Sequence, residues 1–149
     1  MLNKELAATD SKIIHFVQRT FFPFARFSIF IIFFWFGALK VFDASPASPM
    51  VLALLSKILP FIAPLLFLKA FGLYEMCIGV AFLIPRFERE AILLLIPHLI
   101  STILPLFLLT SLTWSAPFIP TLEGQYIIKN ILIAALAMGI AAHIRPRRI

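Results

Sequence analysis

Residues 24–42 read FARFSIFIIFFWFGALKVF, and this stretch decides the class of the protein. It carries only two charged residues, Arg26 and Lys40. A helix needs about 20 apolar residues to cross a bilayer, so the stretch has the length of one membrane span. It is longer than a signal-peptide core, although DASPAS at residues 43–48 offers small residues of the kind found at cleavage sites. We therefore expect a retained spanning helix at Phe24–Phe42.

The composition of the whole chain agrees with a membrane protein. Of its 149 residues, 62% are hydrophobic and 13% are charged, whereas soluble domains carry about a quarter charged residues. The single cysteine, Cys77, excludes a disulfide scaffold, and the apolar content excludes a disordered chain. In so apolar a chain, the net charge of +6 indicates anchoring at a membrane surface rather than nucleic-acid binding.

Three further spans and one shorter helix follow. The shorter helix, expected at Pro49–Leu59 with Ser48 as its N-cap, cannot cross a bilayer. The predicted fold is an all-α integral membrane bundle of four transmembrane helices. The other three spans are expected at Ala63–Ile84, Ala91–Leu112 and Gly124–Ile144. The chain then divides into an N-terminal segment at 1–23, either an amphipathic helix or a frayed tail, the transmembrane domain at 24–144 and a basic tail at 145–149.

Lysine and arginine predict the orientation, because they concentrate on the cytoplasmic side of membrane proteins. Nine of the thirteen fall on one side of the predicted spans, and only Lys57 lies outside the spans on the other side. Both termini are therefore expected in the cytoplasm. The nine are Lys4, Lys12, Arg19, Arg26, Arg86, Arg89, Arg145, Arg147 and Arg148.

Glu75 is the ionisable residue expected deepest in the bilayer, roughly 13 Å from the cytoplasmic end of its helix. Gly72 and Gly79 lie on the same helical face. Glycines let another helix approach closely, so Glu75 is expected to point into the bundle. Such a carboxyl group either carries a proton or is satisfied by a neighbouring lysine or histidine that fixes packing.

His98 in the third span has a similar expected depth, roughly 10 Å from the cytoplasmic end. A contact between Glu75 and His98 is therefore a geometric hypothesis. The alternative is that His98 bonds a backbone carbonyl freed by Pro97 or Pro105.

Three lysines, Lys40, Lys69 and Lys129, are expected toward the outer leaflet, with Asn130 beside Lys129. Asp43 and Glu123 are possible counterions. Together the lysines would suit an anionic head group or a quinone carbonyl, whereas each alone is explained by snorkelling to the interface. The sequence shows no self-contained set of catalytic residues, so enzymatic activity is left open and the absence of activity is favoured. It also shows no Cys/His cluster with the spacing of metal ligands.

Several motifs resemble the DoxX-like superfamily, in particular its YkgB-type branch. They are FxxGxxKV at residues 34–41, GLYEMCIGVAFLI at 72–84 and EGQYIIKN at 123–130. Gln125 stands where that branch usually has arginine, and Asn130 where it often has aspartate. The resemblance implies a small protein of the bacterial inner membrane. Some of its relatives are linked to quinone reduction, and others to oxidative or chlorine stress.

Three functions remain open at this point. The first is a redox or stress-related accessory protein that binds quinone or lipid at Lys40, Lys69, Glu75, His98, Lys129 and Asn130, with quinone the only cofactor considered. The second is a proton-coupled transporter of small solutes with Glu75 as proton carrier. The third is a structural or assembly subunit. The expected partners are the lipid bilayer and either a membrane protein or a second copy of the chain, with no nucleic acid.

Overall fold

The computed structural model describes residues 2–144, with the side chains of residues 2–4 and 8 left out. The predicted basic tail at 145–149 lies outside the described residues. The elements in chain order are α1 (Leu2–Val41), α2 (Ser48–Ile58), α3 (Pro64–Leu83), α4 (Glu88–Ile103), α5 (Pro105–Leu108), α6 (Thr110–Thr113), β1 (Trp114–Ala116), β2 (Ile119–Pro120) and α7 (Leu122–Ala141).

Helix α1 runs for 40 residues, or about 60 Å at 1.5 Å per residue. The predicted N-terminal segment and the predicted first span form one helix, which continues through Pro23. Proline leaves the carbonyl four residues earlier, that of Arg19, without its helical donor. Arg19 and Pro23 are both exposed, so the missing helical hydrogen bond does not leave a buried carbonyl unsatisfied. The segment is thus helical rather than frayed, and its described side chains up to Arg19 are exposed.

Helices α1 and α3 pack antiparallel and very closely. A Cβ atom on Gly72 would lie 2.6 Å from the carbonyl oxygen of Gly37, and one on Gly79 would lie 3.0 Å from the backbone nitrogen of Phe34. Real Cβ atoms do not approach backbone atoms as closely as the first of these distances. The prediction that the Gly72–Gly79 face receives another helix is confirmed, and that helix is α1.

The third span differs from its prediction at both ends. Helix α4 begins at Glu88, three residues before the expected start, and ends at Ile103 because Pro105 interrupts the backbone ladder. Short helices α5 and α6 follow, and then the antiparallel strands β1 and β2, which lie within the stretch predicted as the end of the third span and the loop after it. Side chains bond carbonyls near this break: the indole of Trp114 donates to Leu106, and the ammonium of Lys57 donates to Leu108.

The remaining helices match their predictions to within a few residues. Helix α7 begins two residues before the expected Gly124 and ends three before Ile144, and Thr121 caps it by accepting a hydrogen bond from the Gly124 N–H. In α2, Ser48 is the first helical residue rather than the N-cap, which is Ala47.

The bundle is apolar outside and charged inside. Trp35, Leu93 and Ile131 on its surface are 62%, 67% and 70% exposed, whereas Lys40, Glu75 and His98 in its interior are 4%, 5% and 6% exposed. Within the described residues, four stretches are long and apolar enough to cross a membrane. They are Glu5–Val41, Pro64–Leu83, Glu88–Leu108 and Leu122–Ala141. The protein is therefore an all-α bundle with four helices of membrane-spanning length and composition.

Candidate functional site

Three ionisable side chains from three helices meet in the interior of the bundle. The Nζ of Lys40 on α1 donates to Oε2 of Glu75 on α3 at 2.6 Å. The Nε2 of His98 on α4 lies 3.0 Å from the other carboxylate oxygen, Oε1. We call this group the buried triad. The carboxylate is shared between two basic partners, and the predicted contact between Glu75 and His98 is confirmed.

Lys40 reaches Glu75 because its side chain turns back along its own helix. It lies in the last turn of α1, and side chains on a helix point toward the N-terminal end. Its Nζ is 3.4 Å from the carbonyl oxygen of Phe36, one turn earlier, and 5.8 Å from the ring centre of Phe71. The snorkelling explanation is wrong for Lys40, since its ammonium group points into the bundle.

The close glycine contact places the lysine beside its counterion. A Cβ atom on Gly72 would lie 2.9 Å from the Cβ of Lys40, so the two backbones meet one turn before Glu75. A bulkier residue at position 72 would push α1 away from α3. The short Lys40–Glu75 distance therefore depends on glycine at positions 37 and 72.

Aromatic rings surround His98. Phe71 stacks on the imidazole with ring centres 5.3 Å apart and an interplanar angle of 10°, and Phe33 contacts it edge-on at 4.9 Å. The ring of Tyr74 lies 6.2 Å away, and its hydroxyl donates to the carbonyl oxygen of Leu94. These three rings leave the imidazole few polar neighbours.

The second ring nitrogen of His98, Nδ1, is buried and has no hydrogen-bond partner among the described residues. The alternative expectation, a histidine bonded to a freed carbonyl, is therefore wrong. Hydroxyl groups bond the carbonyls beside it instead: Ser101 donates to His98 and Thr102 to Leu99. A neutral imidazole that donates from Nε2 to Glu75 presents Nδ1 as an unused acceptor, and a second proton turns that atom into a donor.

The other candidate residues do not join the triad. Lys69 and Asp43 are both about half exposed, with Nζ 3.7 Å from Oδ2, which agrees with Asp43 as the expected counterion. Lys129 is exposed, with its Nζ 5.4 Å from the ring centre of Tyr126. Asn130 is partly exposed beside it. Each of the three lysines thus has a different partner, and the idea of one site shared by all three is corrected to a site built on Lys40.

The triad is chemically balanced. One ammonium and one carboxylate cancel, so with a neutral imidazole the group has no net formal charge. Buried charges are costly unless they are paired, which explains why the Lys40 ammonium and the His98 imidazole both lie within hydrogen-bond distance of the Glu75 carboxylate. A proton delivered to Nδ1 would give the group a net charge of +1. The arrangement can therefore hold a hydrogen-bonding ligand at Nδ1 or accept a proton there.

Sequence reasoning missed the aromatic part of the site. Phe71 lies four residues before Glu75, and Phe33 lies seven before Lys40, so each shares a helical face with its charged neighbour. These spacings can be recognised in the sequence. In a chain with 17 phenylalanines, however, it does not distinguish these two from the others.

No family model matches the chain, and neither a curated protein nor a solved structure matches it. The resemblance to the DoxX-like superfamily stays a prediction that rests on the quoted motifs.

Proposed function

We propose that this protein is a four-span protein of the bacterial inner membrane, of the DoxX-like type, with both termini in the cytoplasm. In this proposal it acts as a redox or stress-related accessory protein and binds the head group of an isoprenoid quinone or quinol between its helices. The ligand lies against His98. The single observation that carries the proposal is the buried Nδ1 atom of His98, which has no partner among the described residues.

The protonation chemistry of His98 suits both forms of this ligand. A quinol hydroxyl donates hydrogen bonds, and it matches the Nδ1 lone pair of a neutral imidazole. A quinone carbonyl only accepts, and it matches Nδ1 after the ring has gained a second proton. Glu75 stabilises that protonated ring, because its Oε1 is already 3.0 Å from Nε2.

The aromatic surroundings suit a planar ring. Phe67, Phe71 and Tyr74 follow one another along α3, with successive ring centres 5.7 Å and 6.3 Å apart, and all three are partly exposed. This row leads from the bundle surface to His98, which stacks on Phe71. Flat aromatic groups pack favourably in offset or edge-on arrangements. The row therefore offers a quinone head group a surface to pack on beside His98.

The proposal is tested by binding of a short-chain ubiquinone analogue and a short-chain menaquinone analogue to the full chain in mild detergent. Binding is followed by quenching of tryptophan fluorescence. We expect His98→Ala to weaken binding at least about tenfold, which corresponds to about 1.4 kcal/mol. The matched control is His15→Ala, because His15 is exposed on α1, and its affinity should equal that of the unchanged protein.

Two results would overturn the quinone proposal. One is the absence of binding by the unchanged protein, with no quinone in its organic extract. The other is equal binding by the His98→Ala and unchanged proteins. His98→Asn serves as a second variant that keeps a hydrogen-bonding group in the site. Its unfolding temperature shows whether any loss of binding is due to loss of the fold.

A second candidate, proton-coupled transport of small solutes, is favoured by the position of Glu75. One buried carboxylate lies between two basic groups, and a proton on Glu75 would release Lys40 from its pair. This function predicts a solute flux in proteoliposomes that is driven by a pH gradient and abolished by Glu75→Gln. Flux without quinone binding would favour transport over the first proposal.

A further inference from the structure

A cavity of about 400 Å³ lies where α3 ends and α4 begins, at the end of the bundle opposite the α2 side. Its polar wall contains Arg26 of α1, Arg86 and Arg89 of the connection and the first turn of α4, and His143 just after α7. Glu88 also lines it. Three elements that are distant in sequence therefore bring basic side chains to one concave site.

The cavity carries an excess of positive charge. Among the described residues that line the cavity are three arginines and one carboxylate, that of Glu88, so these lining side chains carry a formal charge of +2 with His143 neutral. Glu88 is already engaged, because its Oε1 accepts from the guanidinium of Arg26 at 2.8 Å. Arg86 and Arg89 line the cavity beside this ion pair.

Part of this wall is fixed in place. Arg26 also donates to the carbonyl oxygens of Phe82 at 2.6 Å and Ile84 at 2.7 Å, at the end of α3. Arg86 has a left-handed backbone with φ of 68°, a conformation that costs a non-glycine residue roughly 1–2 kcal/mol. Its N–H lies 3.3 Å from the same Glu88 oxygen. Glu88 therefore links Arg26 on α1 to the short segment between α3 and α4 that contains Arg86.

The opposite wall is apolar and includes Phe22 and Ile140. The ring of His143 packs edge-on against Phe22 with centres 4.5 Å apart. Its Nδ1 lies 3.0 Å from the carbonyl oxygen of Gly139, which leaves Nε2 for another partner. A basic wall that faces an apolar wall matches a ligand with an anionic head and a hydrocarbon part.

We propose that this cavity binds the phosphate group of an anionic ligand. Guanidinium groups bind phosphate oxygens through paired N–H donors, and basic pockets between helices at the cytoplasmic side of membrane proteins hold phospholipid head groups. A phospholipid and free phosphate share this chemistry, and the apolar wall favours the phospholipid. The α1 residues of the site, Phe22 and Arg26, lie 14 or more residues before Lys40 of the buried triad, and the site does not depend on quinone binding.

The test titrates the full chain in mild detergent with three probes, which are short-chain phosphatidylglycerol, short-chain phosphatidylcholine and inorganic phosphate. Binding is measured by native mass spectrometry. The double variant Arg86→Gln, Arg89→Gln should raise the dissociation constant for phosphatidylglycerol at least about tenfold. The control Lys12→Gln, Arg19→Gln removes the same charge from the exposed part of α1 and should change it less than about twofold.

The three probes separate the sources of the phosphate. Phosphatidylglycerol binding that is lost in the cavity variant assigns the site to a phospholipid head group. Binding of inorganic phosphate alone, lost in the same variant, assigns it to a soluble anion. Equal binding of phosphatidylcholine and phosphatidylglycerol, equal weakening by the control, or no binding of either phosphate source would overturn the proposal.

A further variant separates recognition from folding. Arg86→Lys, Arg89→Lys keeps the charge but loses the paired N–H donors, so we expect an intermediate affinity. Quinone binding by this variant should stay unchanged, because His98 is not altered. Failure of the phosphate proposal is thereby distinguishable from failure of the quinone proposal.

Discussion

Helix α1 contributes a cation to two clusters, and the two differ in what surrounds the charge. Lys40 lies in the buried triad, where Glu75 contacts the side chains of both Lys40 and His98, and all three side chains are only 5–7% exposed. Arg26 lies fourteen residues earlier, about 21 Å along the helix, and its ion pair with Glu88 is 19% and 22% exposed. Arg26 also bonds two backbone carbonyls at the end of α3.

The difference in partners indicates different roles for Arg26 and for Lys40. Arg26 satisfies carbonyls that the end of a helix leaves without donors, and Glu88 is only one of its partners. The triad caps no helix, and its charges are stable there only because they face one another. It also keeps an unused polar atom, Nδ1 of His98. The Arg26–Glu88 pair holds the end of α3 in place, whereas the buried triad keeps a polar atom that a ligand or a proton could use.

The largest expected effect comes from removal of the triad carboxylate. Glu75→Gln leaves the Lys40 ammonium buried without a counterion, and we expect the free energy of unfolding to fall by about 3–5 kcal/mol. Denaturant unfolding in detergent measures it. The double variant Lys40→Met, Glu75→Gln removes both charges together and should recover most of the loss. A single variant as stable as the unchanged protein would contradict this view of the triad.

The glycine contact beside the triad should give an intermediate effect. Gly72→Ala places a Cβ 2.6 Å from the Gly37 carbonyl oxygen, so α1 and α3 must separate, at a cost of about 1–3 kcal/mol. Gly139→Ala is the matched control on α7. Its Cβ would lie 3.7 Å from the nearest Phe21 atom, and alanine favours a helix, so stability should be unchanged or up to about 1 kcal/mol higher.

Thermal unfolding of the two glycine variants, measured in the same detergent, distinguishes them. Equal unfolding temperatures would contradict the close packing of α1 on α3. If Gly72→Ala loses more binding free energy for quinone than free energy of unfolding, the close contact of α1 and α3 also sets the position of Lys40 in the site.

The smallest expected effect is at the Arg26–Glu88 pair. Glu88→Gln removes a partly exposed ion pair but leaves Arg26 on the carbonyls of Phe82 and Ile84, so the loss should be about 1 kcal/mol or less. It should shrink further at high salt, because exposed charges are screened. Glu123→Gln, an exposed carboxylate on α7, is the control. A loss as large as that of Glu75→Gln would remove the distinction between the two clusters.

Helical periodicity was sufficient for part of the site. It placed Glu75 on a glycine face and at the depth of His98, and both expectations agree with the structure. Periodicity relates residues within one helix, however, and it does not give the rotation of one helix relative to another. For that reason the sequence did not show that Lys40 would meet Glu75, while Lys69 and Lys129 would lie exposed.

Helix ends were predicted less well than helix positions, for local reasons. The first span was predicted to begin at Phe24, yet the helix already includes exposed Pro23 and the residues before it. The same residue type does interrupt the third span at Pro105. The basic cavity depends on the left-handed turn at Arg86 and on the packing of α7 beside Phe22. These are tertiary features that residue spacing does not contain.

The separation of Lys40 and Glu75 along the chain has a consequence for synthesis. The two residues are 35 positions apart, so α1 emerges from the ribosome before the counterion of its lysine emerges. Lys40 lies in the last turn of α1 and can extend toward the membrane interface during that interval. Glu75 lies in the middle of α3 and has no such route, since its short side chain reaches neither end of the helix. In the proposed membrane location, α1 would enter first as an ordinary span, and its lysine would then pair with a carboxylate that is costly for α3 to carry into lipid alone.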